Sequence, residues 1–195
     1  MSEVLPDGES RNLRLIGERI RSRRTTKIFL KQKVSAELIR DAIEVARWAP
    51  NHHLTEPWHF YQLGPNKVKA AAALIGNIVR ERKKDESLAE FKEASALEMP
   101  GWLLVTCKRS DDELLQQEDY ASVCCAIQNL TLYLAEAGVA CKWTTGPVTR
   151  DPRFFQLMGL DPEREFVAGL IWYGYPKILP TQTRKAVDEI LTVTD

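Results

Sequence analysis

The chain has no long apolar run. Nothing in it approaches the roughly 20 consecutive apolar residues that a spanning helix needs, so no membrane partner is expected. It also lacks net charge: 27 basic side chains balance 27 acidic ones. No global field therefore favours nucleic acid or an anionic surface, and any anion site has to be local. Met1 to Ser10 is acidic and has no basic region leading into an apolar one, so the expected location is the cytoplasm. Four cysteines, Cys107, Cys124, Cys125 and Cys141, form no C-x-x-C pair and read as reduced and mostly structural. None of the ten glycines builds G-x-G-x-x-G or a Walker loop, which excludes the Rossmann and P-loop readings. The three histidines come without G-x-S-x-G or a cysteine-nucleophile context, which argues against covalent hydrolysis.

What is present alternates between helical and extended patterns. At 195 residues the chain can bury a core without staples, and the expected organisation is a polar, flexible arm over 1–12 followed by one domain over 13–195. Leu13, Ile16 and Ile20 predict a first helix ending near Arg21 to Arg24. Ser35 caps a second, with Leu38, Ile39, Ala42, Ile43 and Ala46 on one stripe before Pro50. Trp58 to Leu63, Trp102 to Cys107, Val139 to Thr144 and Phe166 to Tyr175 have strand composition. Gly64-Pro65-Asn66 starts an alanine-rich helix, and Arg80 to Glu93 reads as exposed helix or mobile cover. Tyr120, Val123, Ile127, Leu130 and Leu134 mark the longest helix, stopped by Gly138; Asp151-Pro152 and Gly159 bracket a short one. A last amphipathic turn falls at Val187, Ile190 and Leu191. The interleaving predicts an α+β domain.

Three segments carry possible chemistry. Arg23-Arg24-Thr25-Thr26-Lys27 packs three cations and two hydroxyls into five residues, a set suited to a phosphate, although composition alone favours a solvated basic helix end. Ala49 to Trp58 places two prolines around six mostly polar residues between a helix and a strand, a common setting for ligand contacts. His52, His53 and His59 raise the question of a metal, but no second cluster has ligand spacing and His52 and His53 are expected to point differently, so no metal is expected. Lys142 to Pro147 is a strand end whose backbone and hydroxyls could border a flat ring or form an ordinary turn.

In order, these segments resemble the nitroreductase family of flavoproteins, particularly its short members, over about Leu13 to Leu191. The carrying motifs are Arg23-Arg24-Thr25-Thr26-Lys27-Ile28-Phe29, then Ala49-Pro50-Asn51 through Glu56-Pro57-Trp58. The long helix Ala121 to Ala137, the run ending at Trp143, and Gly174-Tyr175-Pro176 follow. The resemblance implies a central, mainly antiparallel sheet flanked by helices, an intertwined homodimer, and FMN between subunits. It further implies that NAD(P)H donates hydride and that a small electron-poor acceptor such as a nitroaromatic or quinone receives it by a ping-pong cycle. Enone or aldehyde reduction, dehalogenation, or a nonenzymatic flavin-binding dimer are alternatives on the same scaffold. Carried over by position, Arg23, Arg24 and Thr25 serve the flavin phosphate and ribityl groups, Lys27 the N1 and O2 edge, and Arg184 with Lys185 the phosphate. Asn51 and His52 contact the flavin from the partner's loop, while Trp143, Thr144, Thr145 and Gly146 border the ring. Glu56 stands where the family has Gln, Leu54 where many members have Asn, and Trp48 where a cationic ligand can stand.

Overall fold

A buried strand that is apolar on both sides needs cover on both faces, and the run Gly101–Lys108 shows how this chain supplies it. In the computed structural model, which describes residues 11–194, that run is β2, buried along its first seven residues. Its neighbours are β1 (Trp58–Gln62) and β4 (Glu165–Gly174); β3 (Ala140–Thr144) pairs with the far side of β4. The sheet order is β1-β2-β4-β3, with every pair antiparallel and one register shift between Val105 and Thr106. Alternation along β2 sends Leu103, Val105 and Cys107 to one face and Trp102 and Leu104 to the other.

The first face is covered by α2 (Ala36–Ala46) and α5 (Glu113–Glu136). Ser35 caps α2, its hydroxyl accepting from the Leu38 amide at 3.1 Å, and Ile39, Ala42 and Ala46 follow at helical spacing into the core. Helix α5 is capped by Asp112 and buries Val123, Ala126, Ile127, Leu130 and Leu134 against the sheet. Gly138 then turns the chain with φ 75°, a conformation that costs a residue with a Cβ roughly 1–2 kcal/mol.

The second face is covered by α3 (Pro65–Lys83), α4 (Glu86–Leu97) and α6 (Pro152–Met158). The charged stretch expected as exposed helix or mobile cover is the turn of a helical hairpin: Lys84 adopts φ 55°, and Asp85 caps α4 by accepting from the Leu88 amide. The backbones of α3 and α4 approach closely, since a Cβ on Gly76 would meet the Ala89 carbonyl at 3.3 Å. Asp151 caps α6, which Gly159 ends at φ 77°, as the sequence predicts.

Helix α1 (Arg11–Ser22) begins two residues inside the expected arm; the remainder of that arm, residues 1–10, lies outside the described residues. It has no buried residue in this chain, and Leu13, Ile16 and Ile20 are more than half exposed. The expected turn near Val187 is a single 3-10 turn (Val187–Glu189) whose apolar side chains are also exposed. Among the described residues no helix is long and apolar enough to cross a membrane.

Leu130 is fully buried at the centre of the α5 contact. Leu130→Ala is expected to cost about 2–5 kcal/mol of stability, read as a lower denaturant midpoint with unchanged slope.

Candidate functional site

After α1 the chain runs along the outer edge of β3. Thr25 bridges Cys141 in parallel sense and Phe29 bridges Pro176, while the Leu30 and Lys177 amides donate to the Tyr175 and Ile28 carbonyls at 2.8 and 3.0 Å. Thr26 is buried and its hydroxyl donates to the Ile178 carbonyl at 2.8 Å, so it anchors the strap. Its neighbours Thr25 and Lys27 are exposed. Arg23 is half-buried and close enough to Cys141 for its charge to favour the thiolate. One Arg24 guanidinium nitrogen, Nη1, donates to the carbonyls of Arg21 and Arg23, the latter at 2.8 Å, which leaves Nε and Nη2 for a ligand. Arg23, Thr25, Lys27 and the remaining nitrogens of Arg24 are therefore the available donors of this segment.

The Trp143–Gly146 turn lies on the same strand edge. The Trp143 indole donates to the Ala168 carbonyl at 3.1 Å and lies against Gly169, where a Cβ would overlap it. A glycine inside a buried strand is the sequence signal for such an approach, and Gly169 went unused in the sequence reading. Thr144 is half-buried and Thr145 exposed. The Gly146 carbonyl accepts from the Thr149 amide at 3.0 Å and the Thr149 hydroxyl at 2.9 Å, leaving its Cα open except for the Thr144 hydroxyl.

The Pro50–Pro57 loop lies elsewhere, against the first turns of α5. His53, Leu54 and Glu56 take φ of 60°, 52° and 44°, each a left-handed conformation worth roughly 1–3 kcal/mol of strain. Hydrogen bonds from both ends of one side chain hold the loop. Asn51 Oδ1 accepts from the Glu56 amide at 2.7 Å, and Asn51 Nδ2 donates to the hydroxyls of Thr55 and Ser122 at 3.1 and 3.3 Å. The Thr55 hydroxyl donates to the buried Asp119 carboxylate. The structure thus places the Asn51 amide inside the loop's own network, and Asp119 and Ser122 are supports that the sequence reading missed. Leu54 is 83% exposed and Trp48 is 75% exposed.

His52 and His53 do not diverge as the sequence suggested. Their rings stack at 3.8 Å with 22° between planes, and His52 Nδ1 lies 2.8 Å from Glu118 Oε2. The three residues bring ligand atoms within 4.8 Å of one another. Two nearly parallel rings cannot both aim an in-plane lone pair at one ion, so coordination there requires a ring to rotate.

Helix α5 separates the two halves. Its Glu118 meets His52 and its Glu136 meets Arg19; those helix positions are 18 residues apart, roughly 27 Å at ~1.5 Å per residue. Arg184 is exposed on the tail and donates only to Gln182 Oε1 and the Thr183 carbonyl, at 2.8 and 2.9 Å; Lys185 is likewise exposed. Within one chain, then, the Arg23–Lys27 strap lies beside β3 at Cys141, on the strand that runs on to the Trp143–Gly146 turn, whereas Asn51 and His52 lie against α5 and Arg184 lies on the tail.

Residues 20–175, with this order of segments, match the nitroreductase family model. The chain belongs to the nitroreductase family. A Bacillus subtilis protein carrying the provisional name NAD(P)H nitroreductase YfhC is 35% identical over 167 residues, covering 83% of this chain and 84% of its own. A nitroreductase-like family protein from Bacillus cereus superposes with a TM-score of 0.81 at 27% identity, over 92% of this chain and 96% of its own. A Bacteroides fragilis nitroreductase solved with bound FMN gives a TM-score of 0.74 at 21% identity, over 92% and 98% of the two chains.

Three thiols of this nitroreductase-family chain, Cys107, Cys124 and Cys141, are suppressed nucleophiles. Burial, then the nearby Asp119, pushes Cys107 up to about 12; burial pushes Cys141 up to about 12 against the opposing charge of Arg23; burial also raises Cys124. Because a raised value keeps the thiol protonated at neutral pH, a disulfide reagent at pH 8 is expected to label the half-buried Cys124 slowly. Cys107 and Cys141 should react only after denaturation; rapid native labelling of either contradicts their burial.

Proposed function

We propose that the chain is a cytoplasmic FMN-dependent oxidoreductase that uses NAD(P)H to reduce electron-poor acceptors such as nitroaromatics and quinones, at sites completed by a second copy of itself. The observation carrying this reading is that the strap bearing Arg23, Thr25 and Lys27 bridges β3 at Cys141, on the strand that runs on to the open Gly146 turn. Neither Arg23 nor Lys27 has a carboxylate partner among the described residues. A phosphate monoester carries about −2 charge, and a guanidinium with a neighbouring hydroxyl matches its oxygens, so the donor chemistry fits FMN.

The division of labour follows from chemistry. FMN, when bound, supplies two-electron exchange between the nicotinamide and the acceptor. Arg23 and Thr25 hold the phosphate and ribityl end. Lys27 is assigned to the N1 and O2 edge, where a cation stabilises the charge that reduction builds. Trp143, fixed by Ala168 and Gly169, and the Thr144–Gly146 backbone form a rigid border that keeps water from one side of the ring. A nitro group, NAD(P)H and one proton yield a nitroso group, NAD(P)+ and water. Donor and acceptor use the same place in turn, a ping-pong order.

A second copy accounts for what one chain leaves unfinished. His52 cannot reach its own Arg23 across the length of α5, but the corresponding loop of a partner can. Exposed apolar surface on α1, Leu54, Ile190 and the adjoining tail supplies the contact area, and docking of the tail would carry Arg184 toward the phosphate.

Purified protein is expected to be yellow, to bleach anaerobically with NADH or NADPH, and to recolour with a nitroarene or quinone. Arg23→Ala should weaken FMN binding at least about tenfold, equivalent to ~1.4 kcal/mol, while sedimentation still gives a dimer. Unchanged flavin affinity would remove Arg23 from the site.

A further inference from the structure

Three donors of the kind that bind transition metals meet where the Pro50–Pro57 loop touches α5. His52, His53 and Glu118 each bring one ligand atom within 4.8 Å of the other two, and His52 Nδ1 stands 2.8 Å from Glu118 Oε2. Ligands bonded at about 2.1 Å around a tetrahedral ion lie about 3.4 Å from one another. The measured 2.8 Å and the 4.8 Å limit bracket that spacing, so shifts of about 1.4 Å or less turn the cluster into a coordination shell.

The backbone beneath the cluster is fixed, and the His53 ring above it is not. Asn51 and Thr55 tie the loop to itself and to α5, with His53 at φ 60° between them. The His52 side chain is 60% exposed, and His53 is exposed and makes no hydrogen bond among the described residues. One ring has to turn out of the stack before both lone pairs reach one ion. That turn is about a histidine χ2, a broad two-fold torsion, and the contact it gives up is the stack itself. No lysine or arginine competes for the carboxylate, since the ion-pair partner of Glu118 among the described residues is His52. Two imidazoles and one carboxylate suit zinc and its neighbours, whereas magnesium takes oxygen ligands.

We propose that His52, His53 and Glu118 form a site for a zinc-type divalent ion, with water as the fourth ligand, and that an ion there draws His52 away from the flavin of the second copy. A neutral imidazole carries its proton on either nitrogen; with the proton on Nε2, the His52 nitrogen that faces Glu118 becomes a ligand beside it. The antagonism toward flavin rests on the reductase reading above, and the metal site does not. Its basis is the shared ring: a His52 side chain pinned to Glu118 by an ion is not free to reach across to a partner.

Equilibrium dialysis of the purified, flavin-loaded protein against zinc chloride, with magnesium chloride as the oxygen-ligand control, reads the site directly. One zinc per protomer is expected, and no magnesium at the same concentration. His53→Asn, chosen because asparagine accepts left-handed backbone, and Glu118→Gln should each weaken zinc at least about tenfold with the melting temperature kept. His59→Gln should leave zinc within about twofold, because that ring lies on β1 against Tyr61. Zinc should weaken FMN binding about fivefold, and by linkage FMN should weaken zinc by the same factor. Zinc uptake that survives both His53→Asn and Glu118→Gln, that is lost equally in His59→Gln, or that magnesium matches would overturn the site. FMN affinity indifferent to zinc would overturn the antagonism. Protein that binds zinc through His53 and Glu118 yet stays colourless with added FMN would keep the metal site and remove the reductase reading.

Discussion

The burial of α5 across the sheet sets the spacing of everything chemical in this chain. Its apolar stripe, Val123 through Leu134, is fixed against β2 and β4, so it cannot slide without exposing that stripe. The two groups anchored near its ends inherit a separation set by helix rise. Helix α1, which leads into the cationic strap, meets it through Arg19 at Glu136, and the proline-bracketed loop meets it at Glu118. A rigid spacer roughly 27 Å long rules out closing both halves on one small ligand within one copy.

Order in the Pro50–Pro57 loop has a different origin from order in the core. Three side-chain-bearing residues in left-handed backbone would relax if left alone. Asn51 ties the loop's two ends together, and Asp119 and Ser122 tie it to α5. Preorganisation of this sort places side chains before a ligand arrives, which lowers the ordering cost of binding. It also explains how Leu54 and His52 can remain exposed yet held in position.

Elements with local punctuation were legible in the sequence. Ser35, Gly138, Asp151-Pro152 and Gly159 each stand where expected, because caps and left-handed stops are decided within a few residues. The β2 and β4 runs were readable from their apolar composition. Contacts made across long sequence separations were not. The bridge from Thr25 to Cys141, the burial of Asp119 beneath Thr55 and the stacking of His52 on His53 depend on where the sheet carries each segment. Asn51 has the residue type of a ligand, and only the fold shows that its amide is engaged by the chain itself. The break between α3 and α4 was hidden because charged residues dominate both sides of Lys84 and Asp85.

The contact between Trp143 and Gly169 couples two positions on neighbouring strands. The indole occupies the volume that any larger residue at 169 would claim, so the two sites share one allotment of space. A variant seeking a bulkier β4 must first shrink residue 143, and one replacing the tryptophan leaves a vacancy beside a strand with no side chain to fill it. Reshaping this contact is therefore a two-step path whose order matters, and the first step on the β4 side is closed.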